Sequence, residues 1–411
     1  MPRRHPPADP VVRELIRSAA RSHLTRRSLL TTGALGGAAA ALAACAPPTP
    51  PSGGATALKL PADLSTTDKQ VRWANWTAYL DYDEDKKNYP TLEAFIKKSG
   101  IRATDSEDIE DNDSYFNKIA PQLRAGQDIG KDIFVFTDWM ANRLIRDQLV
   151  QPLDLISMPN APNLLPNLQE VSFDPGRTHS LTWQSGFAGI GYNRKKLGRD
   201  LKSLNDLWAP DLKGKIVVLS EFRDTAALIM QQQGVDISKN FTKTQVEAAF
   251  DEVSKRISDG NIRRVKGNSY LEDLKSGNAV AGIVWSGDLF VLRAETGDDS
   301  WQFAIPDSGG TLWSDNMMVP ITSPHRTNAE ELMNYYYDPA VAAEVAAFVN
   351  YVCPVQGAQA EMEKIDKDLA KSPFIFPSPE YIKDNRIQGF RALSAQEDAD
   401  YGSAWATVVG N

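Results

Sequence analysis

From residue 70 onward, short apolar runs alternate with longer segments whose apolar positions recur every three or four residues. Residues 70–76 (QVRWANW) read as a strand. Residues 91–100 (TLEAFIKKSG) read as a helix, with Leu92, Phe95 and Ile96 on one face and Gly100 as the stop. The runs 132–136 (DIFVF) and 215–219 (KIVVL) predict buried strands, 279–284 (AVAGIV) another, and 189–193 (GIGYN) a weaker one. Residues 244–257 predict a helix with Thr244 and Glu247 as a capping box and a stripe of Val246, Phe250, Val253 and Ile257. Residues 338–352 predict a second, capped by Asp338 with Pro339 in its first turn. The run 317–321 (MMVPI) reads as a strand that Pro320 confines to a sheet edge or a strand end. Just before it, in TLWSDNMM (311–318), Trp313 and Asp315 are two apart, so on a strand both point to one face. The alternation predicts an α/β architecture with mostly parallel sheets.

Composition adds a boundary. The chain has 411 residues, 42% apolar and 24% charged, enough for two lobes with separate cores. Its net charge of −8 is uneven: residues 1–44 hold seven arginines against only Asp9 and Glu14, so the remaining body is strongly acidic and repels phosphate backbones. Nucleic acid is not expected as a partner. Arg26-Arg27 followed by a soft apolar run to Ala44 predicts an export signal over 1–44, of the twin-arginine type. Leu42-Ala43-Ala44-Cys45 resembles a bacterial lipobox, making Cys45 the expected lipidation site and the membrane anchor. The Pro- and Gly-rich stretch after it predicts a flexible tether over 45–68. Cys353 is then the only remaining cysteine, so no intramolecular disulfide forms and a buried thiol is expected.

Ligands of open α/β sheets sit beyond the carboxyl ends of the strands. There the sequence places Trp76, Thr77 and Tyr79; Thr137, Asp138 and Trp139; Ser220, Glu221, Arg223 and Asp224; Trp285 and Ser286. Aromatic rings and carboxylates recur at these ends. A ring face attracts a cation by ~0.5–2 kcal/mol, a carboxylate adds ~1.5–3 kcal/mol, and aromatic walls cover methylenes at ~0.8 kcal/mol each. An alkyl chain with ammonium ends uses all three. Catalysis has little support: the histidines are His5, His23, His179 and His325, the last two in loop-like, solvent-facing sequence, and there is no His/Cys metal cluster, GxGxxG, P-loop or GxSxG. No cofactor and no metal are expected. The acidic runs 81–87 and 105–113 read as solvated loops. Abundant acids keep a secreted hydrolase with paired carboxylates as the lowest alternative.

The segments NWTAY (75–79), DIFVFTDWM (132–140), LNDLWAPDLKGKIVVL (204–219), GIVWSGDLFV (282–291) and GGTLWSDNMMVP (309–320), in that order, resemble the bacterial periplasmic spermidine/putrescine-binding proteins, solute receptors of polyamine ABC importers. The resemblance implies a two-lobed type II periplasmic-binding-protein fold with the ligand in the cleft between lobes. It implies lobe 1 from 69–183 with 314–358 and lobe 2 from 184–313 with 359–411. It also implies a monomer, no enzymatic activity, a polyamine-like cation as ligand, permease subunits as partners, and an exported chain anchored outside the cytoplasmic membrane. The ligand residues it implies are Trp76, Thr77, Tyr79, Thr137, Trp139, Glu221, Asp224, Trp285, Trp313, Asp315, Tyr351 and Gln388. One departure stands out: the family carries an acid where this chain has Ala78, so either Asp138 or Asp81 substitutes or the ligand differs. An amino-acid derivative or a shorter amine is the alternative solute.

Overall fold

The two strongest apolar runs of the sequence, 132–136 and 215–219, become the fully buried cores of two parallel pieces of sheet. The computed structural model describes residues 59–410; the predicted export signal, Cys45 and most of the tether lie outside the described residues. One piece is β1 (Gln70–Trp76) between β2 (Arg102–Ile109) and β3 (Ile133–Thr137), all parallel. The other is β5 (Ile216–Leu219) between β6 (Ile262–Lys266) and β7 (Ala281–Trp285), again parallel. Two long strands join them. β4 (Leu181–Asn193) and β9 (Thr311–Met318) lie side by side, antiparallel to each other, and pair outward with β7 and β3, also antiparallel. The ladder therefore reads β2-β1-β3-β9-β4-β7-β5-β6, with β8 (Trp301–Ala304) beside β4 and β10 (Gln388–Gly389) beside β9. The sheet is mixed rather than mostly parallel, because the chain crosses between the two pieces on β4 and β9 in opposite directions.

Helices cover both pieces. On the first are α1 (Pro90–Ser99), α2 (Asn112–Arg124) and α3 (Asp138–Arg146), which follows β3 directly. α4 (Phe222–Gln232) follows β5, α5 (Lys243–Ser258) packs on α4, and α6 (Ser286–Thr296) follows β7. α7 (Arg326–Tyr336) and α8 (Pro339–Val349) come after β9, and α9 (Ala395–Val409) packs on α5. Gly100 ends α1 at φ 73°, and Asp338 caps α8 by accepting from the Ala340 N–H. Trp73, Trp183 and Tyr336 form one aromatic core, with ring centroids 4.8–5.5 Å apart.

Several expectations shift. β9 is central, and Pro320 falls beyond its end, where no ladder N–H is needed. β4 runs thirteen residues, all buried, although only its last five read as strand; the glycines at 186, 189 and 191 hide it. They are close-approach positions: a Cβ at Gly189 would meet Phe303, and one at Gly191 would meet Val284 and Leu289. The cap of α5 is Thr242 with Gln245, two residues before the predicted Thr244 and Glu247. The acidic run from 105 begins on β2, an edge strand whose charges blunt its open side. Residues expected in the tether already dock: Leu64 N–H donates to Pro324 O, and the Asp63 carboxylate accepts from the Thr327 hydroxyl. His325 is not solvent-facing but buried between Asp132 and Asp68. Cys353 is buried, and burial raises its thiol pKa to about 12.

Gly282 of β7 is paired on both sides, and a Cβ there would collide with the Val217 carbonyl oxygen. Gly282→Ala is expected to cost about 1–3 kcal/mol of unfolding free energy, read from urea denaturation; an unchanged midpoint would contradict the packing of β7 on β5.

Candidate functional site

The carboxyl ends of β1, β3, β5 and β7 converge on one cavity of about 240 Å³. Eleven of the twelve expected ligand residues line it: Trp76, Thr77 and Tyr79 after β1, Thr137 and Trp139 after β3, Glu221 and Asp224 after β5, Trp285 at the end of β7, Trp313 and Asp315 on β9, and Tyr351 after α8. Gln388 does not. Its side-chain oxygen accepts the Ile237 N–H at 2.9 Å and its backbone pairs with Gly310, so it is a strut of β10. The wall near it comes instead from Phe390, Arg391 and Ala392.

Five rings form a chain of steep edge-to-face contacts. Trp76 lies 6.1 Å from Trp285, Trp285 6.5 Å from Trp313, Trp313 5.1 Å from Tyr351, and Tyr351 5.5 Å from Tyr79. Two glycines make room: a Cβ at Gly186 of β4 or at Gly287 of α6 would come within 2.8 or 2.7 Å of the Tyr351 ring. Trp76 Nε1 is spent on Val135 O at 3.1 Å, whereas Trp313 Nε1, buried in the wall, has no partner among the described residues.

Five carboxyl groups line the same space, and Glu221, Asp224, Asp288 and Asp315 are all buried. Asp315 accepts from the Tyr79 hydroxyl at 2.9 Å and the Thr137 hydroxyl at 2.7 Å. Asp288 accepts from Tyr270 and Tyr351, each at 2.6 Å. Asp224 accepts from Trp285 Nε1 at 2.9 Å and Thr311 at 2.8 Å. Glu221 accepts from Asn112 at 2.9 Å. These donors are neutral. Burial therefore dominates, raising Asp315 to about 7, Asp138, Asp224 and Asp288 each to about 6, and Glu221 well above the usual range. Arg223 does not bridge Glu221 or Asp224: its guanidinium pairs with Asp398 at 2.5 Å and lies 3.8 Å over the Trp139 ring. Its charge still eases Glu221, Asp224 and Asp138 from a distance, without outweighing burial, and the positive ends of three helices add to it. Asp138, Asp224 and Asp288 each sit in the first turn of α3, α4 and α6.

Of the two proposed substitutes at Ala78, Asp138 lines the cavity, while Asp81 is tied to the Thr91 N–H and hydroxyl at the start of α1. Ala78 itself has φ 55°, and its N–H donates to Glu107. Sequence reasoning missed Asp288 and Asn112. Asp288 lies one helical turn past Trp285 in WSGD, so extending the strand-end rule one turn into the next helix finds it. Asn112 is fully buried and donates to both Thr137 and Glu221, a role set by tertiary contact alone.

The family model described as "Bacterial extracellular solute-binding protein" matches residues 90–373. The chain belongs to this family. Among the curated relatives of this solute-binding protein, the spermidine/putrescine-binding periplasmic protein of Escherichia coli K12 is 25% identical over 339 residues, spanning 82% of this chain and 91% of that protein. The putrescine-binding periplasmic protein SpuD of Pseudomonas aeruginosa is 25% identical over 365 residues, spanning 83% and 92%. A putative spermidine/putrescine ABC transporter structure from Listeria monocytogenes superposes with a TM-score of 0.70 at 22% identity, over 83% of this chain and 98% of that one. The fold is thus the two-lobed type II fold of periplasmic binding proteins. In this solute-binding protein the cavity lies where the lobes' strand ends meet.

Burying Asp315 as an anion opposes folding. Its folded pKa of about 7 lies above an unfolded value near 3.9, so the penalty is absent below pH ~4, grows up to pH ~7 and is then constant. Asp315→Asn removes the titration. The stability of the Asn variant relative to the parent is expected to rise between pH 4.5 and 7.5, by up to about 4 kcal/mol, in paired denaturant melts. A gap that stays flat with pH would contradict the buried, unpaired carboxyl.

Proposed function

We propose that the protein is the extracytoplasmic receptor of an ABC importer, capturing a polyamine-like cation in this cavity and presenting it to permease subunits. The observation that carries this reading is the combination of four buried carboxyl groups, served only by neutral donors, with five aromatic rings around one cavity. An ammonium group supplies the missing positive charge, and ring faces cover the alkyl stem. Two such ends reach about −8 kcal/mol, micromolar binding, once the entropy of association is subtracted. Capture is non-covalent. The solute stabilises the closed form by touching both lobes, divided as 69–183 with 314–358 and 184–313 with 359–411. Relatives named for spermidine and putrescine binding support the choice of solute. Export by the twin-arginine signal, lipidation of Cys45, anchoring outside the cytoplasmic membrane and a monomeric state belong to the same proposal.

A second reading, an amine that also carries a hydrogen-bond acceptor, such as an amino-acid derivative, is favoured by one observation: the buried Trp313 Nε1 lines the cavity and has no partner among the described residues.

Calorimetry on the mature chain with putrescine, spermidine, ω-amino acids and a diol of putrescine's length separates these readings. Putrescine or spermidine binds and the diol does not; preference for the amino acids selects the second reading, and tight diol binding rejects both. Asp288→Asn and Asp315→Asn each lower amine affinity ~10–100-fold. An ammonium beside Asp315 and Asp288 lowers their pKa values, so amine binding at pH 6 releases protons, and affinity rises from pH 5.5 to 7.5. Heats of binding that do not change with the buffer's own ionisation enthalpy would rule out this coupling.

A further inference from the structure

Trp139 is the cavity wall furthest from the other rings in chemical character, because the chain's own cations already engage it. Arg223 of α4 lies 3.8 Å over its ring, and the Arg143 guanidinium of α3 is 5.1 Å from the same ring. Both cations close on one acid. Asp398, in the first turn of α9, accepts from Arg143 Nε at 2.9 Å and pairs with Arg223 Nη2 at 2.5 Å. Arg143 also holds Asp113 of α2 at 2.9 Å. Asp398 and Arg223 are buried, so their attraction is little weakened by water or salt.

The position of this cluster gives it a role. Arg143 and Trp139 ride on α3, behind β3 of one parallel piece of sheet; Arg223 and Asp398 ride on α4 and α9, which pack with α5 around β5 of the other. The Arg143–Asp398 bond therefore spans the two pieces outside the cavity. It forms only when they are together. One lesser bond crosses nearby, from the Ser220 hydroxyl to Asp111 at 2.6 Å, and Trp405 Nε1 on α9 donates to Ser220 O at 2.5 Å within the β5 side.

We infer that Asp398, with Arg143, is a positioning residue of the binding reaction: a clasp that holds the lobes closed without touching the solute itself. It rests on the amine-capture reading for its ligand, but the clasp stands on its own geometry. Because it stabilises the closed form for every solute alike, removing it lowers all affinities by one factor. A solute contact would change the ranking of solutes instead.

The test uses Asp398→Asn, Arg143→Met and the double variant in the mature chain. Calorimetry measures putrescine and spermidine affinity, and small-angle X-ray scattering measures the radius of gyration without solute. Asp398→Asn lowers both affinities ~10–100-fold by the same factor and enlarges the solute-free particle. Arg143→Met does so to a smaller degree, and the double variant is no weaker than Asp398→Asn alone, as members of one unit are not additive. Unchanged affinity and radius, additive losses, or an altered putrescine-to-spermidine ratio would overturn the inference. If Asp398→Asn does not fold, Arg143→Met, which removes a partly exposed side chain, still decides. If the parent binds no amine, the proposed solute is wrong, while the radius of the Arg143→Met particle still tests the clasp.

Discussion

The structure turns on the burial of acid without base. Glu221, Asp224, Asp288 and Asp315 are each at least nine-tenths shielded from solvent, and the groups that reach them are phenols, hydroxyls, an indole and an amide. Taking a carboxylate out of water costs several kcal/mol unless a cation accompanies it. The chain meets that cost in four ways: protons partly stay on, as the raised pKa values record; neutral donors occupy the oxygens; helix N-termini lend partial positive charge to Asp138, Asp224 and Asp288; and the Arg223 charge, though paired with Asp398, acts at a distance on Glu221, Asp224 and Asp138. None of these removes the deficit. The proposed cationic solute would, and the free energy released on its arrival would be the energy that folding withheld.

The aromatic side of the site depends on the two crossing strands. β9 carries Trp313 and Asp315 on one face, and β4 beside it contributes Gly186, whose missing side chain is where Trp313 and Tyr351 lie. A larger residue at 186 would push both rings into the cavity. The glycines that make β4 hard to read as a strand are thus the ones that let it serve as the floor of the site and as a packed central strand. Strand weakness and site shape have one cause.

That coupling explains what was legible in the sequence. β1, β3, β5 and β7 are visible as compact apolar runs, and their ends expose Trp76, Thr137, Glu221 and Trp285 by position alone. Asp288 is less visible, since it belongs to a helix and only its place one turn after Trp285 brings it to the cavity. Asn112 and Tyr270 cannot be read from local pattern: each matters through partners distant in sequence, Thr137 and Glu221 for one and Asp288 for the other. Gln388 shows the converse error. The resemblance implies this polar residue as a contact, but its side chain is satisfied by the backbone of Ile237, and the wall begins two residues later at Phe390. β2 was lost because an edge strand is permitted to be charged, which removes the period that reveals a buried one.

Solute charge and lobe closure are not separable in this design. One hydrogen-bonded path runs from Glu221 through Asn112 to Thr137, on to Asp315 and then to Tyr79. Glu221 sits at the start of α4 on one piece of sheet; Asn112, Thr137 and Tyr79 belong to the other. In the proposed hinge motion, opening the cleft would break the path at Glu221–Asn112 and admit water to Asp315, where water is a better partner for the anion than two neutral hydroxyls. The empty protein therefore gains carboxylate solvation by opening, and the Asp398 clasp opposes that gain. A cation placed at Asp315 removes the incentive to open, because the acid then prefers the dry, closed site. Under that proposal closure responds to the solute's charge, with no need for the solute to pull the lobes together by contact alone.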